Sequence, residues 1–498
     1  MTTEILDPAP PSTAPVTRLV LADATDSTDA PVRTPAPAIS GLGLATVLLG
    51  AFVSMADFFI VNVALPTIDT DLRTSAALLE LVVAAYGITY ALLLVLGGRL
   101  GDTFGRRRLF VTGLALFTVT SLGCGIAPTA ITLVLARAAQ GAAAALMVPQ
   151  VLATIQATTT GQHRSRAIGW YGATAGIASA VGQLAGGVLV SADIAGMGWR
   201  PIFLVNVPIG VLGLVAAVRY LPATRAHAAV PIDGRGTALL GAALLCLLVP
   251  LMVGRSLGWP VWCWLVLAAT PFAAAALVAA ERSLERSGGV PLVPPSLLRI
   301  RSMRAGLLLG LPFFAGFGGF MFVTAVGLQD GAGLSPLQSG LALCPLAVSF
   351  LLASLLTTRL VARYGRRVLV AGAVVQALGL AVLAATFLGR WPHVGPVSLA
   401  AGMAVAGFGQ GLIMSPLFRI VLTGVPADRA GIGSGVLVTT QQAALALGVA
   451  TLGTLFLSQS APGGIGTADA LALVLGVQIV VAVGFAVLAR RLPEQSGS

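Results

Sequence analysis

Fourteen apolar runs fill the chain between residues 41 and 489, each close to the roughly 20 residues that a helix needs to cross a hydrocarbon core. They fall at about 41–65, 77–97, 107–127, 130–152, 166–190, 200–220, 237–254, 260–280, 304–327, 338–358, 367–388, 396–417, 432–457 and 469–489. Nothing is left over to clothe a water-facing surface. Charged residues make up 9% of the chain and hydrophobic residues 57%, whereas a soluble domain carries about 25% charge. The pattern predicts an all-α polytopic membrane protein with 14 spans.

The basic residues set a direction. The chain contains no lysine, so all 29 basic residues are arginine. With the N-terminus inside, the inner segments hold 24 of them, among them Arg106, Arg107, Arg108, Arg363, Arg366 and Arg367. The outer segments hold four (Arg73, Arg200, Arg255 and Arg390), and Arg137 alone lies within a span. Such asymmetry places both termini in the cytoplasm. It also accounts for a pI near 10.8 without a nucleic-acid partner, because the positive charge faces anionic headgroups.

The chain repeats itself. Arg99 to Arg108 sits between the second and third runs, and Arg359 to Arg367 echoes it 260 residues later. Gln140-Gly141 returns as Gln410-Gly411, offset by 270. Spans 1–6 therefore match spans 9–14, with two helices inserted between. The predicted division is a disordered N-terminal tail over 1–38, a six-helix bundle over 39–222, inserted helices and linker over 223–303, a second bundle over 304–491, and a tail over 492–498. The tail over 1–38 is not a signal peptide, since no basic segment leads into a short apolar core. Parallel repeats of this kind place a substrate site between the halves.

Within the spans, chemistry is sparse. Asp57 is the one carboxylate placed deep in a run, where a charge costs about 2.5–3.5 kcal/mol even on insertion scales. Burial disfavours the charged form of an acid, so Asp57, expected in a low-dielectric seam between the two bundles, can take up a proton there and give it back. Arg137 needs a carboxylate, carbonyls or water, and Asp57 is the natural partner. Asp102, beside the start of the third span, pairs at i,i+4 with Arg106. Gly98 and Gly105 permit close approach and a tight turn there, and Arg107 completes the motif. In the second copy Ala362 replaces Asp102, so any latch is one-sided. The fifth span carries Gly176, Gly182, Gly186 and Gly187 at helical spacing, which suits close packing between helices. Polar and aromatic residues in or near spans are candidates to line a substrate cavity: Asn62, Tyr86, Tyr90, Gln150, Phe313, Phe317, Gln410 and Gln441.

Several classes fall away. Without lysine there is no Walker A loop, so the chain carries no ATP site of that type. The four cysteines form no C-x-x-C and read as small apolar packing residues. No cofactor or metal is expected. An embedded enzyme would need clustered acids or histidines at a membrane face, and none is evident.

These passages resemble the 14-helix drug:proton antiporters of the major facilitator superfamily. The resemblance covers about residues 41–490. It rests on Asp57-Phe58-Phe59-Ile60-Val61-Asn62-Val63-Ala64-Leu65-Pro66, on Gly98 to Arg108, on Arg137 with Gln140-Gly141 and Pro149, and on Trp199-Arg200-Pro201 through Gly210. It implies a monomeric bacterial inner-membrane exporter of amphiphilic drugs or antibiotics, driven by protons. It further implies Asp57 as the proton-coupling acid, Arg137 as its modulator, and Asp102 with Arg106 as stabilisers of an outward-open state. The sequence departs from the family at Gly182-Gln183, where Gly-Pro is usual, and at Thr103. With no acid deep in spans 9–14, a dicationic cargo fits poorly. An importer or facilitator of a defined metabolite, or a lipid exporter, remains open on the same fold.

Overall fold

The computed structural model describes residues 38–223, 233–254, 257–423, 425 and 430–490. The predicted tails over 1–38 and 492–498 lie outside them, save residue 38. Among the described residues there is no strand, and 14 helices are long and apolar enough to cross a membrane. In order, spans 1 to 6 are Gly41–Leu72, Leu81–Phe104, Arg106–Gly125, Ala130–Thr158, Gly161–Ser191 and Pro201–Tyr220. Spans 7 and 8 are Gly234–Leu251 and Val261–Arg286. Spans 9 to 14 are Arg301–Gly331, Pro336–Thr357, Arg367–Arg390, Pro396–Val421, Gly435–Ser460 and Thr467–Ala489.

Local chemistry sets where helices begin. The Ser40 hydroxyl accepts the Gly43 N–H at 3.0 Å at the head of span 1. Reciprocal capping boxes, Thr129 with Thr132 and Ser335 with Gln338, open spans 4 and 10. Pro66, Pro149, Pro312 and Pro416 all lie inside helices. Buried neighbours make that tolerable in a membrane.

The packing plan is written twice. Span 2 lies on 4, span 3 on 4, span 1 on 5 and span 3 on 6; span 10 lies on 12, span 11 on 12, span 9 on 13 and span 11 on 14. The two sets of six meet along spans 5 and 10, 2 and 13, and 1 and 9. Span 7 covers the flank where spans 2 and 13 meet, through Leu248, and Val253 at the end of the same helix, against Ala84, Ile88, Ala446 and Ala450. Span 8 packs on span 7 and shows most of its surface outward.

The segment between spans 8 and 9 is strapped to span 2. Arg99 donates to the carbonyls of Val290 (3.0 Å) and Pro291. The Glu281 carboxylate, 2% exposed, accepts the Val293 N–H at 3.0 Å, and Asp233 accepts that of Leu292 at 3.3 Å. Glu281 is thus a second buried acid, at the end of span 8 that a reading for deep acids overlooks.

Candidate functional site

Asp57 and Arg137 are both fully buried and form an ion pair, as their isolation in apolar runs predicts. The pair has company. The Gln140 amide donates to the second carboxylate oxygen at 3.0 Å and the Asn206 amide to the same oxygen at 2.7 Å. Asn206 also donates to Ser121 Oγ at 3.0 Å, and Ser121 in turn donates to the Phe203 carbonyl at 2.9 Å. Arg137 Nε donates to the Val82 carbonyl at 3.1 Å, while its guanidinium carbon lies 4.4 Å from the Tyr86 ring centroid. Three donors thus meet the two carboxylate oxygens, which offsets the cost of holding a charge out of water.

These partners correct the expected location. They come from spans 1, 2, 3, 4 and 6, so Asp57 sits in the core of the first bundle and not in the seam between bundles. The reason is helical register. Asp57 faces inward to span 4, while Met55 and Phe59 on the same helix face the second half. Phe59 meets Phe317 of span 9 edge to face at 5.7 Å. Met55, Phe313, Phe317, Phe350, Met414 and Gln441 line a narrow pocket at the seam.

The remaining cavity candidates divide. Phe313, Phe317 and Gln441 come together in that pocket. Tyr86 does not: its hydroxyl is tied to Ser54, and its ring faces Arg137. Tyr90 meets Tyr86 edge to face at 5.9 Å and hydrogen-bonds the Gln442 side chain of span 13. Gln150 locks span 4 to span 2 by donating to the Gly97 carbonyl at 2.8 Å. Asn62 and Gln410 are buried outside the pocket; the Asn62 carbonyl oxygen and both Gln410 amide atoms have no partner among the described residues.

At the loop motif, Asp102 and Arg106 pair at 3.1 Å. Asp102 belongs to the last turn of span 2, rather than to the start of span 3. Gly105, at φ 100°, turns the chain between them. Arg106 also donates to the Ala153 carbonyl at 3.0 Å, and Arg107 donates to that of Val218. Close approach falls one residue away from Gly98. A Cβ on Gly97 would strike the Ala145 carbonyl, whereas one on Gly98 would lie 3.7 Å from Pro149. Above this loop a crevice of about 680 Å³ runs between spans 2, 4, 5 and 13, lined by Gly98, Asp102, Pro149, Tyr171 and Val438.

The glycines of span 5 serve two faces. A Cβ on Gly182 would lie 2.6 Å from the Ala56 carbonyl oxygen and one on Gly186 2.9 Å from that of Ile60, both on span 1. One on Gly176 would enter the Phe350 ring, and one on Gly187 would lie 2.6 Å from the Pro336 carbonyl oxygen, both on span 10. Span 5 is therefore a thin wall between Asp57's helix and the second half.

Two pseudo-equivalent bundles with a buried ion pair in one of them and a pocket between them define a polytopic transporter. A family model described as Major Facilitator Superfamily matches residues 47–449, and the chain belongs to that superfamily, which makes it a transporter and not an enzyme. It is 39% identical over 82% of its length, and 71% of the relative's, to the "Probable actinorhodin transporter" of Streptomyces coelicolor. It is 37% identical to the "Puromycin resistance protein pur8" of Streptomyces alboniger, over 83% and 81% of the two chains. Among solved structures, a peptide transporter POT in complex with sulfate shares the fold, with a TM-score of 0.65 at 16% identity over 92% of this chain and 97% of that one.

Proposed function

We propose that this chain is a proton-coupled exporter of amphiphilic small molecules in a bacterial cytoplasmic membrane, with both termini inside. The relatives' names support export; the arginine distribution supports the orientation. The observation that carries the coupling is the buried Asp57 cluster, set on the same helix whose other face walls the seam pocket.

A proton arriving from outside neutralises Asp57 and frees Arg137, Gln140 and Asn206 from the carboxylate. Span 1 then shifts against span 4, and Met55 and Phe59 carry that shift to the pocket. Substrate and proton thus act on one helix from two sides, without sharing a site. Each elementary charge crossing 100 mV yields about 2.3 kcal/mol, enough for useful accumulation. Residues 39–222 and 304–491 act as the two moving bundles, 223–303 as the insertion and linker between them, and Asp102–Arg106 as a one-sided latch. Phe313, Phe317, Phe350 and Met55 suit an apolar ring system, and Gln441 adds one polar contact. Proton drive replaces ATP in this reading, and a monomer suffices.

The test is an efflux panel of amphiphilic antibiotics and dyes in a transporter-depleted host. The expected result is lowered accumulation of some compounds, abolished by a protonophore. Accumulation indifferent to the protonophore contradicts the reading.

A further inference from the structure

A second polar site lies in the other bundle, away from Asp57 and sharing only Phe313 with the seam pocket. A crevice of about 690 Å³ lies between spans 9, 11, 13 and 14, lined by Phe313, Gly316, Gln376, Thr451, Gln478 and Phe485. Gln478 is 4% exposed, and neither its amide nitrogen nor its carbonyl oxygen has a partner among the described residues. Buried amides are nearly always satisfied, so such a group signals an absent partner. Gln376, 7% exposed, lines the same space. The Gln478 carbonyl oxygen stands 4.0 Å from where a Cβ on Gly316 would be, so that glycine leaves the amide its opening. Thr451, at the mouth, is exposed on the outer face of the bundle and sits in a π-helical turn, Val449–Gly453. Turns of that kind recur at functional sites.

The internal repeat explains the chemistry. Gln478 lies 272 residues after Asn206, and Gln410 lies 270 after Gln140. In the first bundle the corresponding amides donate to Asp57. The acid of span 9, Asp330, lies at its far end and does not line the crevice, and no charged side chain among the described residues does. The second bundle keeps amides without an acceptor.

We infer that this crevice binds a neutral, membrane-partitioned aromatic molecule that carries adjacent carbonyl and hydroxyl groups. Gln478 and Gln376 supply one donor and one acceptor each, and the Phe313 and Phe485 rings, 6.2 Å apart, supply the apolar faces. A charged ligand is disfavoured because nothing neutralises it. Entry is lateral, from the lipid past Thr451. The inference rests on the export reading only for its role there, as the point where cargo leaves the bilayer; binding itself does not require transport.

The experiment uses the full chain in phosphatidylcholine nanodiscs, titrated with fluorescent 1,4-dihydroxyanthraquinone. Gln478→Leu is expected to weaken binding at least tenfold, and Gly316→Leu to abolish it by filling the crevice. Thr451→Trp, at an exposed position that tolerates a large apolar side chain, blocks the mouth and keeps the test available should a buried variant misfold. Anthracene, with the same rings and no oxygens, should bind more weakly and ignore Gln478→Leu. Equal affinity of wild type and Gln478→Leu, or equal binding of the two probes, as an acyl-chain groove would give, overturns the inference. A failed efflux panel would leave these affinities standing, so the two readings fail separately.

Discussion

The amide nitrogen of Asn206 in span 6 stands 2.7 Å from a carboxylate oxygen of Asp57 in span 1, joining the first and last helices of one bundle. A hydrogen bond to a charged acceptor contributes about 1.5–3 kcal/mol. Asn206→Leu is expected to lose about that much, read as a lower thermal midpoint of the purified protein in detergent. Asn206→Asp, which sets a second acid against the first, should fare worse. A midpoint unchanged in both variants would remove Asn206 from the cluster.

Arg137 tests the same cluster from its other side. Removing one partner of a buried pair leaves an uncompensated charge and costs about 3–5 kcal/mol. Arg137→Leu should therefore be poorly folded. The double variant Asp57→Asn with Arg137→Leu should recover monodisperse protein on size-exclusion chromatography without recovering transport.

Helix crossings at span 5 predict a graded steric series. Gly182→Leu must displace the Ala56 carbonyl, and overpacking of that kind costs about 1–3 kcal/mol. Gly169 has no atom within 4 Å of an added Cβ. Gly169→Ala should leave the midpoint unchanged or raise it, by up to about 1 kcal/mol. Equal sensitivity at both positions would contradict the packing.

The strap between spans 8 and 9 predicts a protease phenotype. Glu281→Ala strands the Val293 N–H, at about 1–3 kcal/mol, and removes a carboxylate that holds the segment. Limited proteolysis of membrane vesicles should then cut between residues 287 and 294 several-fold faster than in the wild type. Asp102→Asn, which alters a partly exposed pair worth about 0.2–1 kcal/mol, should leave this rate alone.

The spans were legible because lipid leaves few options: backbone polar groups must be satisfied internally, so a run of about twenty apolar residues becomes a helix. Asp57 and Arg137 were legible for the same reason, as charges that lipid penalises. Gln140, Asn206 and Ser121 were not. Uncharged polar residues are tolerated across spans, and only the three-dimensional register shows that these three converge. Asn206, one of two asparagines in the chain, offered the faint signal. Register also explains why tight contact falls on Gly97 and Gly101 and not on Gly98. One residue turns a helix by 100°, which sequence spacing near a loop does not resolve. The assignment of Asp57 to the seam failed similarly, since a helix in the first bundle shows one face to each side.

The central claim is that protonation of Asp57 drives the cycle from within the first bundle. Its most direct test is substrate-dependent proton flux in proteoliposomes, read with a trapped pH dye, using a cargo found in the efflux panel. Asp57→Asn, which leaves Arg137 its Gln140 and Val82 acceptors and an amide oxygen in place of the carboxylate, should be less stable than wild type but still fold, bind that cargo within a few-fold of wild type at the seam pocket, and lose at least nine-tenths of the flux. Flux equal to wild type in folded Asp57→Asn would place the coupling elsewhere and end the account.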